Sequence, residues 1–145
     1  MLIARFALPL LVAAVPSTVR GETVDPAGFI GCWTRIDGVA FGKGEQRVCI
    51  SEDLSAVWTT HDGAGRRTVV MPTHTIVGDL LVLSEEPREE AGWSKAVIGG
   101  WSLDGEAALF GTIYVYHGEE IVNGLFVVLA NDAFAAELAT RSWWD

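Results

Sequence analysis

The sequence is short of basic side chains: its 145 residues include 10 Lys and Arg against 19 Asp and Glu, which gives a formal net charge of -9. Nucleic acids and anionic membrane surfaces are bound by clustered Lys and Arg, so we predict that neither is a partner. Charged residues amount to only 20% and apolar residues to 50%. This balance excludes a chain that is disordered throughout, and the length fits one domain.

The sequence also lacks the residue patterns of common metal and catalytic sites. Its two cysteines and three histidines are without the CxxC, HxH or HExxH spacings that bind zinc. It has no Gly-x-Ser-x-Gly nucleophile motif, phosphate-binding loop or dinucleotide fingerprint. We therefore predict no metal, no cofactor and no catalytic residue. Asp79, within the apolar run 76–83, is a candidate acid or base only if it points inward; an outward position balancing Arg66 or Arg67 is favoured.

The first 21 residues are typical of an export signal. A short basic stretch containing Arg5 precedes an apolar run over 6–15, and small residues follow. That run is far shorter than the roughly 20 residues needed to span a bilayer, and no second long apolar run exists. We predict a signal peptide over 1–21, no membrane span and a secreted or periplasmic location. The alternative is an N-terminal core strand or helix in a cytosolic protein.

Eight runs with β-strand character alternate with turn signals. They lie over 31–36, 46–51, 56–61, 67–71, 76–83, 93–103, 107–117 and 121–130. Strand–helix alternation of the kind that builds parallel sheets is absent. We predict an all-β fold, an antiparallel up-and-down barrel of about eight strands in one domain over 22–145. Pro72 is predicted to mark an edge or a bend.

The end of the chain changes to a helical pattern. Asn131 or Asp132 is a suitable N-cap, and Phe134 and Leu138, four residues apart, share one helix face. We predict a short C-terminal α-helix over 132–144 that packs this face against the barrel wall.

The turn Asp104-Gly105 predicts the register of the longest hairpin. If Leu103 faces Glu106, then Gly99 faces Phe110 and each glycine of the hairpin lies across from a large side chain. One face then collects the aromatic residues, and these are the predicted ligand-binding residues: Trp93, Trp101, Phe110, Tyr114 and Tyr116. Two alternatives stay open, a ligand cavity lined by these rings and a dry core filled by them.

Cys32 and Cys49 are the only cysteines, and in an oxidising compartment we expect them to form a disulfide. Pairing them in a hairpin places Trp33 opposite Val48 and sends the two sulfurs to the other face. The disulfide therefore fits the hairpin without exposing the apolar face. Two free buried thiols are the alternative if the export signal is wrong.

The entry to the first strand reads Phe29-Ile-Gly31-Cys-Trp33. An aromatic residue followed by Gly-x-Trp at the start of an eight-stranded antiparallel chain resembles the lipocalin-like (calycin) barrels. The resemblance implies that Gly31 and Trp33 open the first strand, that Trp33 plugs one end of the barrel, and that the barrel is a cup for a small apolar molecule. The chain lacks the Thr-Asp-Tyr stretch of true lipocalins, and only Arg141 is a candidate to stack on the plugging Trp.

These observations predict an exported carrier of a small hydrophobic ligand. The alternative is an envelope protein-interaction module, for example a hydrolase inhibitor, with a filled barrel and a basic protein partner that contacts the acidic loop 85–90. An enzyme centred on Asp79 or a His is the third interpretation. A hollow interior favours the carrier and a filled one favours surface recognition.

Overall fold

A computed structural model describes residues 25–37 and 45–140. The predicted signal peptide, the end of the predicted terminal helix over 141–144 and Arg141 lie outside the described residues. Within the described ranges a short 3₁₀ turn, Pro26–Phe29, precedes nine strands and one α-helix. The strands are β1 Gly31–Arg35, β2 Glu45–Ile50, β3 Ala56–Asp62, β4 Gly65–Met71, β5 Thr73–Val77, β6 Leu80–Ser84, β7 Gly92–Leu103, β8 Glu106–His117 and β9 Glu120–Asn131, and the helix is α1 Asp132–Thr140.

The strands form one antiparallel sheet in the order β4-β3-β2-β1-β9-β8-β7-β6-β5. Strands that follow one another in the chain are neighbours in the sheet, except β4 and β5, which form its two edges, and β9 returns to pair with β1. The sheet curls into a half-barrel whose ladder ends at β4 on one side and β5 on the other. The predicted all-β fold with a short terminal helix is confirmed, with nine strands in the described part of the chain instead of about eight.

The extra strand arises because the run 76–83 is a hairpin and not a single strand. Val77 pairs with Leu80 across the turn Gly78-Asp79. Gly78 has a φ of +63°, which glycine adopts readily and which the first position of a tight two-residue hairpin turn requires. Asp79 is therefore an exposed turn residue. The inward acid or base is therefore wrong, and the favoured outward position holds, in a turn instead of a strand.

Pro72 alone separates β4 from β5, so the two edge strands of the ladder are successive parts of one bent stretch of chain. Proline has no N–H to donate and fits only where the ladder is interrupted. The predicted edge and bend at Pro72 are both confirmed. The bend lets β4 pair with β3 and β5 pair with β6, so the chain itself joins the two sides of the curled sheet.

One hydrophobic core fills the inside of the curl. It takes side chains from strands at both ends of the strand order, since Val48 and Trp58 belong to the same cluster as Leu81, Ile98 and Leu129. Strand alternation places these residues on one face of the sheet, the inner face.

The 3₁₀ turn covers one end of this core. Asp25 caps the turn by accepting a hydrogen bond from the Ala27 N–H at 3.0 Å. Phe29 is buried, and its carbonyl oxygen accepts a hydrogen bond from Trp33 Nε1 at 2.9 Å. Gly31 opens β1 with a φ of +128°, a conformation that side chains oppose. Gly31 is the first residue of β1 and Trp33 lies in the core, while the plugging role of Trp33 and a relationship to the lipocalin-like family stay predictions.

The predicted disulfide between Cys32 and Cys49 is confirmed, and so is the register around it. The two cysteines are directly paired between β1 and β2, next to the pair of Trp33 and Val48. Trp33 and Val48 point into the core, so the disulfide lies on the outer face.

The helix begins as predicted and packs on the outer face. Of the two candidate caps, Asn131 is the N-cap, since its Oδ1 accepts the Phe134 N–H at 2.8 Å. Asp132 instead forms an ion pair with Arg47 of β2. Phe134 and Leu138 pack against Ala130 of β9 in a second apolar cluster, which confirms the predicted contact with the barrel wall.

Candidate functional site: the outer face of β5 to β9

The predicted register of the β7–β8 hairpin is confirmed over its whole length, from Leu103 opposite Glu106 to Trp93 opposite Tyr116. The core, however, takes Ala96, Ile98 and Leu109 from this hairpin. The predicted aromatic residues alternate with these positions and so lie on the outer face.

The expectation that these rings line or fill the barrel interior is therefore wrong. The hairpin gives aliphatic side chains and glycines to the inner face, and the tryptophan rings of the core, Trp33 and Trp58, come from β1 and β3. Whether the rings bind a ligand stays a prediction.

The outer face of β5 to β9 has two adjacent cross-strand rows without a charged side chain, which we call the apolar outer face. The pairings of these strands define the rows. One row contains Thr75, Val82, Val97, Thr112 and Phe126, and the other contains Val77, Leu80, Gly99, Phe110 and Val128.

Several of these side chains are open to solvent. Phe126 is 56% exposed, Val77 59% and Phe110 38%, and Trp101 in the next row is 51% exposed. The solvent side of an antiparallel sheet is normally polar, and a contiguous exposed apolar patch usually marks a contact surface. The apolar outer face is therefore the candidate functional site.

Phe110 is held in place by the glycine across from it. A Cβ atom at Gly99 would lie 3.0 Å from two ring carbons of Phe110 and 3.1 Å from a methyl carbon of Leu80. The ring thus occupies the space that a side chain on Gly99 would need. The large-against-small pairing predicted from the sequence gives the apolar outer face a fixed aromatic centre.

Trp93 and Tyr116 form a separate aromatic cluster at one end of the hairpin. Their rings stack at a centroid distance of 4.2 Å, and Trp93 Nε1 donates a hydrogen bond to the Gly118 carbonyl oxygen at 2.8 Å. The Lys95 ammonium lies 5.5 Å from both ring centroids, within range of a cation–π contact. Trp93 is buried by these neighbours, so this pair stabilises the end of the sheet and offers little ring surface.

Acidic residues lie at the same end of the sheet, separated from the apolar outer face by the row of Lys95 and Tyr114. The loop between β6 and β7 and the turn between β8 and β9 meet there, since a Cβ atom on Gly118 would lie 3.2 Å from the Glu89 carbonyl oxygen. Together the loop and turn segments bear six glutamates, which we call the acidic end: Glu85, Glu86, Glu89, Glu90, Glu119 and Glu120. The ion pair of Arg88 with Glu85, at 3.6 Å, offsets only part of this charge.

The other residues singled out in the sequence are not brought to this face. Gly31 and Trp33 lie in β1, and the disulfide joins β1 to β2. His61, His74 and His117 are exposed on different strands. Across the described ranges, no group of three or more His, Cys, Asp or Glu is placed to hold a metal ion. Over the same residues, no helix is both long and apolar enough to cross a membrane.

The sequence did not indicate a polar cluster that joins β1, β2 and β9. Arg35 forms two hydrogen bonds of 2.8 Å with the Asp37 carboxylate, and Asp37 Oδ1 also accepts the Val128 N–H at 3.0 Å. Burial alone would raise the pKa of Asp37, but the hydrogen bonds from Arg35 and Val128 together bring it below its usual value. The cluster extends the contact between β1 and β9 past the end of the ladder, so we assign it a structural role.

Phe126 was also missed, although it is the most exposed ring of the apolar outer face. Counting back from the pair of His117 with Glu120 would place Phe126 opposite Gly111, on the inner face. A bulge at Val115/Tyr116 adds one residue to β9 and pairs Phe126 with Thr112 instead.

Comparisons of this chain with protein-family models, with curated proteins and with solved structures find no match.

Proposed function

We propose that this protein is an exported recognition module that binds another protein through the apolar outer face. The observation that carries the proposal is the pair of uncharged rows across β5 to β9, in which Phe110 and Phe126 are exposed. Exposed aromatic rings on a rigid sheet are the type of surface that gives protein interfaces most of their binding energy.

The interior supports surface recognition over the carrier function. A side chain that lines a void large enough for water keeps some accessible surface. Val48, Leu81, Leu83, Ile98 and Val127 have none. These five positions leave no room for a ligand beside them, which supports surface recognition over a hollow barrel. Binding of a small apolar ligand inside the barrel stays a prediction with less support.

The charge around the site indicates what kind of partner fits. The acidic end lies on the same strands as the apolar outer face, beyond the row of Lys95 and Tyr114, and the whole chain carries a formal charge of -9. A partner with an apolar patch flanked by Lys and Arg would be attracted at a distance and would match the surface on contact. We therefore propose a basic protein partner, in agreement with the alternative predicted from the sequence.

Export is the remaining part of the proposal. The Cys32–Cys49 disulfide is compatible with a secreted or periplasmic protein, because disulfides persist in oxidising compartments. The signal peptide over 1–21 stays a prediction.

Photo-crosslinking followed by affinity measurement tests the proposed face. A benzophenone amino acid replaces Thr112 in the apolar outer face or, as a control, exposed Thr68 on the outer face of β4, in the cell that makes the protein. We expect a protein adduct at position 112 only, and the purified partner should lose about tenfold or more in affinity for Phe126→Ser. Val70→Ser, equally exposed at 56% on β4, should bind as the wild type does. The same adducts at both positions, or equal affinity of the two variants, would overturn the proposal.

A second measurement separates the recognition module from the carrier. An apolar fluorescent dye bound to the outer face should lose most of its signal with Phe110→Ser and Phe126→Ser. If the dye signal is unchanged and is displaced by fatty acids, the apolar site lies inside the barrel and the carrier function is favoured. If removal of residues 141–145 increases dye binding, the chain's own end covers the face, which contradicts the proposal.

A further inference from the structure

We propose that the partner supplies an extended segment that adds as a further strand to the free edge of β5. This inference rests on the proposed function and gives its mode of binding: main-chain hydrogen bonds at the edge of the sheet, next to side-chain contacts on the apolar outer face. Strand addition of this kind needs an unpaired, accessible edge with few charges.

The two edges of the sheet differ in this respect. β4 begins Gly65-Arg66-Arg67, and charged residues on an edge strand oppose pairing with another chain. β5 is Thr-His-Thr-Ile-Val, without Lys, Arg, Asp or Glu, and all five of its residues are exposed. Threonine, isoleucine and valine are among the residues that favour strands most. β5 is therefore the edge that lacks the usual protection.

The hairpin geometry identifies the backbone groups that a partner would meet. Val77 and Leu80 close the two-residue turn and form a hydrogen-bonded pair. In an antiparallel ladder every second residue is hydrogen-bonded, so the backbone N–H and C=O groups of Thr75 and Thr73 also point toward β6. The N–H and C=O groups of His74 and Ile76 point the other way, to the free edge. Among the described residues, no other strand pairs with this edge and no loop donates a backbone hydrogen bond to it.

The edge is continuous with the apolar outer face. Thr75 and Val77 are the first members of its two uncharged rows, so an added strand would extend both rows by one position. On the opposite face, its side chains would lie next to Ile76, which is 40% exposed. A segment that occupies the edge would thus cover Ile76 and Val77, and it should alternate β-branched or aromatic residues on both faces.

Carboxylates flank the edge and define the ends of the segment. Asp79 follows β5 in the turn. Asp53 lies in the loop before β3, toward the other end of β5, since Ala56 of β3 pairs with Met71, just before Pro72. Hydrogen bonds from the Ser55 hydroxyl and N–H lower the pKa of Asp53 and so favour its carboxylate form. The matching segment has an uncharged centre with Lys or Arg on both sides, in agreement with a basic partner.

A synthetic peptide tests this inference with the full chain. The probe is fluorescein-labelled Lys-Val-Thr-Ile-Thr-Val-Lys, and the readout is fluorescence anisotropy. Ile76→Pro removes an N–H that faces the free edge and leaves the β5–β6 ladder bonds in place. We expect about a tenfold loss of affinity from the lost bond. The matched control is Thr68→Pro, which removes an edge-facing N–H of β4 and should bind as the wild type does.

Further measurements cover a variant that does not fold and define the outcomes that overturn the inference. If Ile76→Pro fails to fold, the same peptide N-methylated on its edge-facing amides, added to the wild type, should lose binding. No binding of the first peptide to the wild type, or equal binding by Ile76→Pro, would overturn the inference. Loss of partner binding with Phe126→Ser but not with Ile76→Pro would retain the outer face and reject the added strand. A dimer of this protein that Ile76→Pro dissociates would make a second copy the occupant and contradict the proposed partner.

Discussion

Replacing Gly111 with alanine should destabilise the fold far more than replacing Gly100, although both glycines lie on the inner face of the same hairpin. A Cβ atom on Gly111 would lie 2.1 Å from the Val97 carbonyl oxygen and 3.0 Å from the Ile98 Cα. At Gly100 no atom lies within 4 Å of the added carbon. Neither glycine has a positive φ, so the difference tests the close approach of the strands alone.

The magnitude follows from what would have to move. The nearest atom to the new methyl group is a backbone oxygen, which no side-chain rotation can displace, so β7 and β8 must separate locally. Overpacking of this kind costs about 1 to 3 kcal/mol, and we expect Gly111→Ala to reach about 3 kcal/mol. Gly100→Ala should change stability by less than about 1 kcal/mol, with a gain if its main effect is on the unfolded chain.

Urea unfolding followed by tryptophan fluorescence measures the difference, with the slope against denaturant as a check that both variants unfold in the same way. The expected loss for Gly111→Ala corresponds to a decrease in Tm of roughly 10 °C for a domain of this size. If the two variants differ by less than about 1 kcal/mol, the close packing of β7 against β8 at Gly111 is refuted.

Two further predictions concern the outer part of the barrel. The disulfide joins residues 17 apart in sequence, so replacing Cys32 and Cys49 together by serine should cost about 3 kcal/mol in urea unfolding; unchanged stability would contradict this. Asp37→Asn should cost about 1 kcal/mol at neutral pH because Arg35 and Val128 donate to the carboxylate. Folding lowers the pKa of Asp37, so the stability that its carboxylate contributes is complete above the unfolded pKa of 3.8. This stability disappears as the pH falls through the pKa of the folded state. A difference between wild type and variant that does not decrease as the pH falls below 3.8 would refute this.

Local turn chemistry explains why the hairpin registers could be predicted. The Asp104-Gly105 turn determines every pair of β7 and β8, and the two cysteines align β1 with β2. The Gly78-Asp79 turn carries a comparable signal, since Gly followed by Asp between apolar residues is typical of a tight hairpin. The continuous apolar run around it obscured this turn, and the predicted strand count was one too low.

The candidate site depended on information that is not local. In β7 and β8 both faces carry apolar residues, so strand alternation alone could not indicate which face points inward. The packing of the whole sheet decides this, because the core takes Ala96 and Ile98 from β7 while rings from other strands fill the rest of it. The rings of Trp101 and Phe110 consequently remain on the outside.

The sequence by itself determined the strands, most of their pairing and the disulfide, because turns and cross-strand neighbours act over a few residues. Only the tertiary structure decided which surface is free. The bulge at Val115/Tyr116 moves Phe126 to the outer face, and the bend at Pro72 leaves β5 as an edge. The bulge is a shift within a long hairpin that no turn residue indicates, and the free edge of β5 depends on the pairing of β1 with β9, which are far apart in the chain.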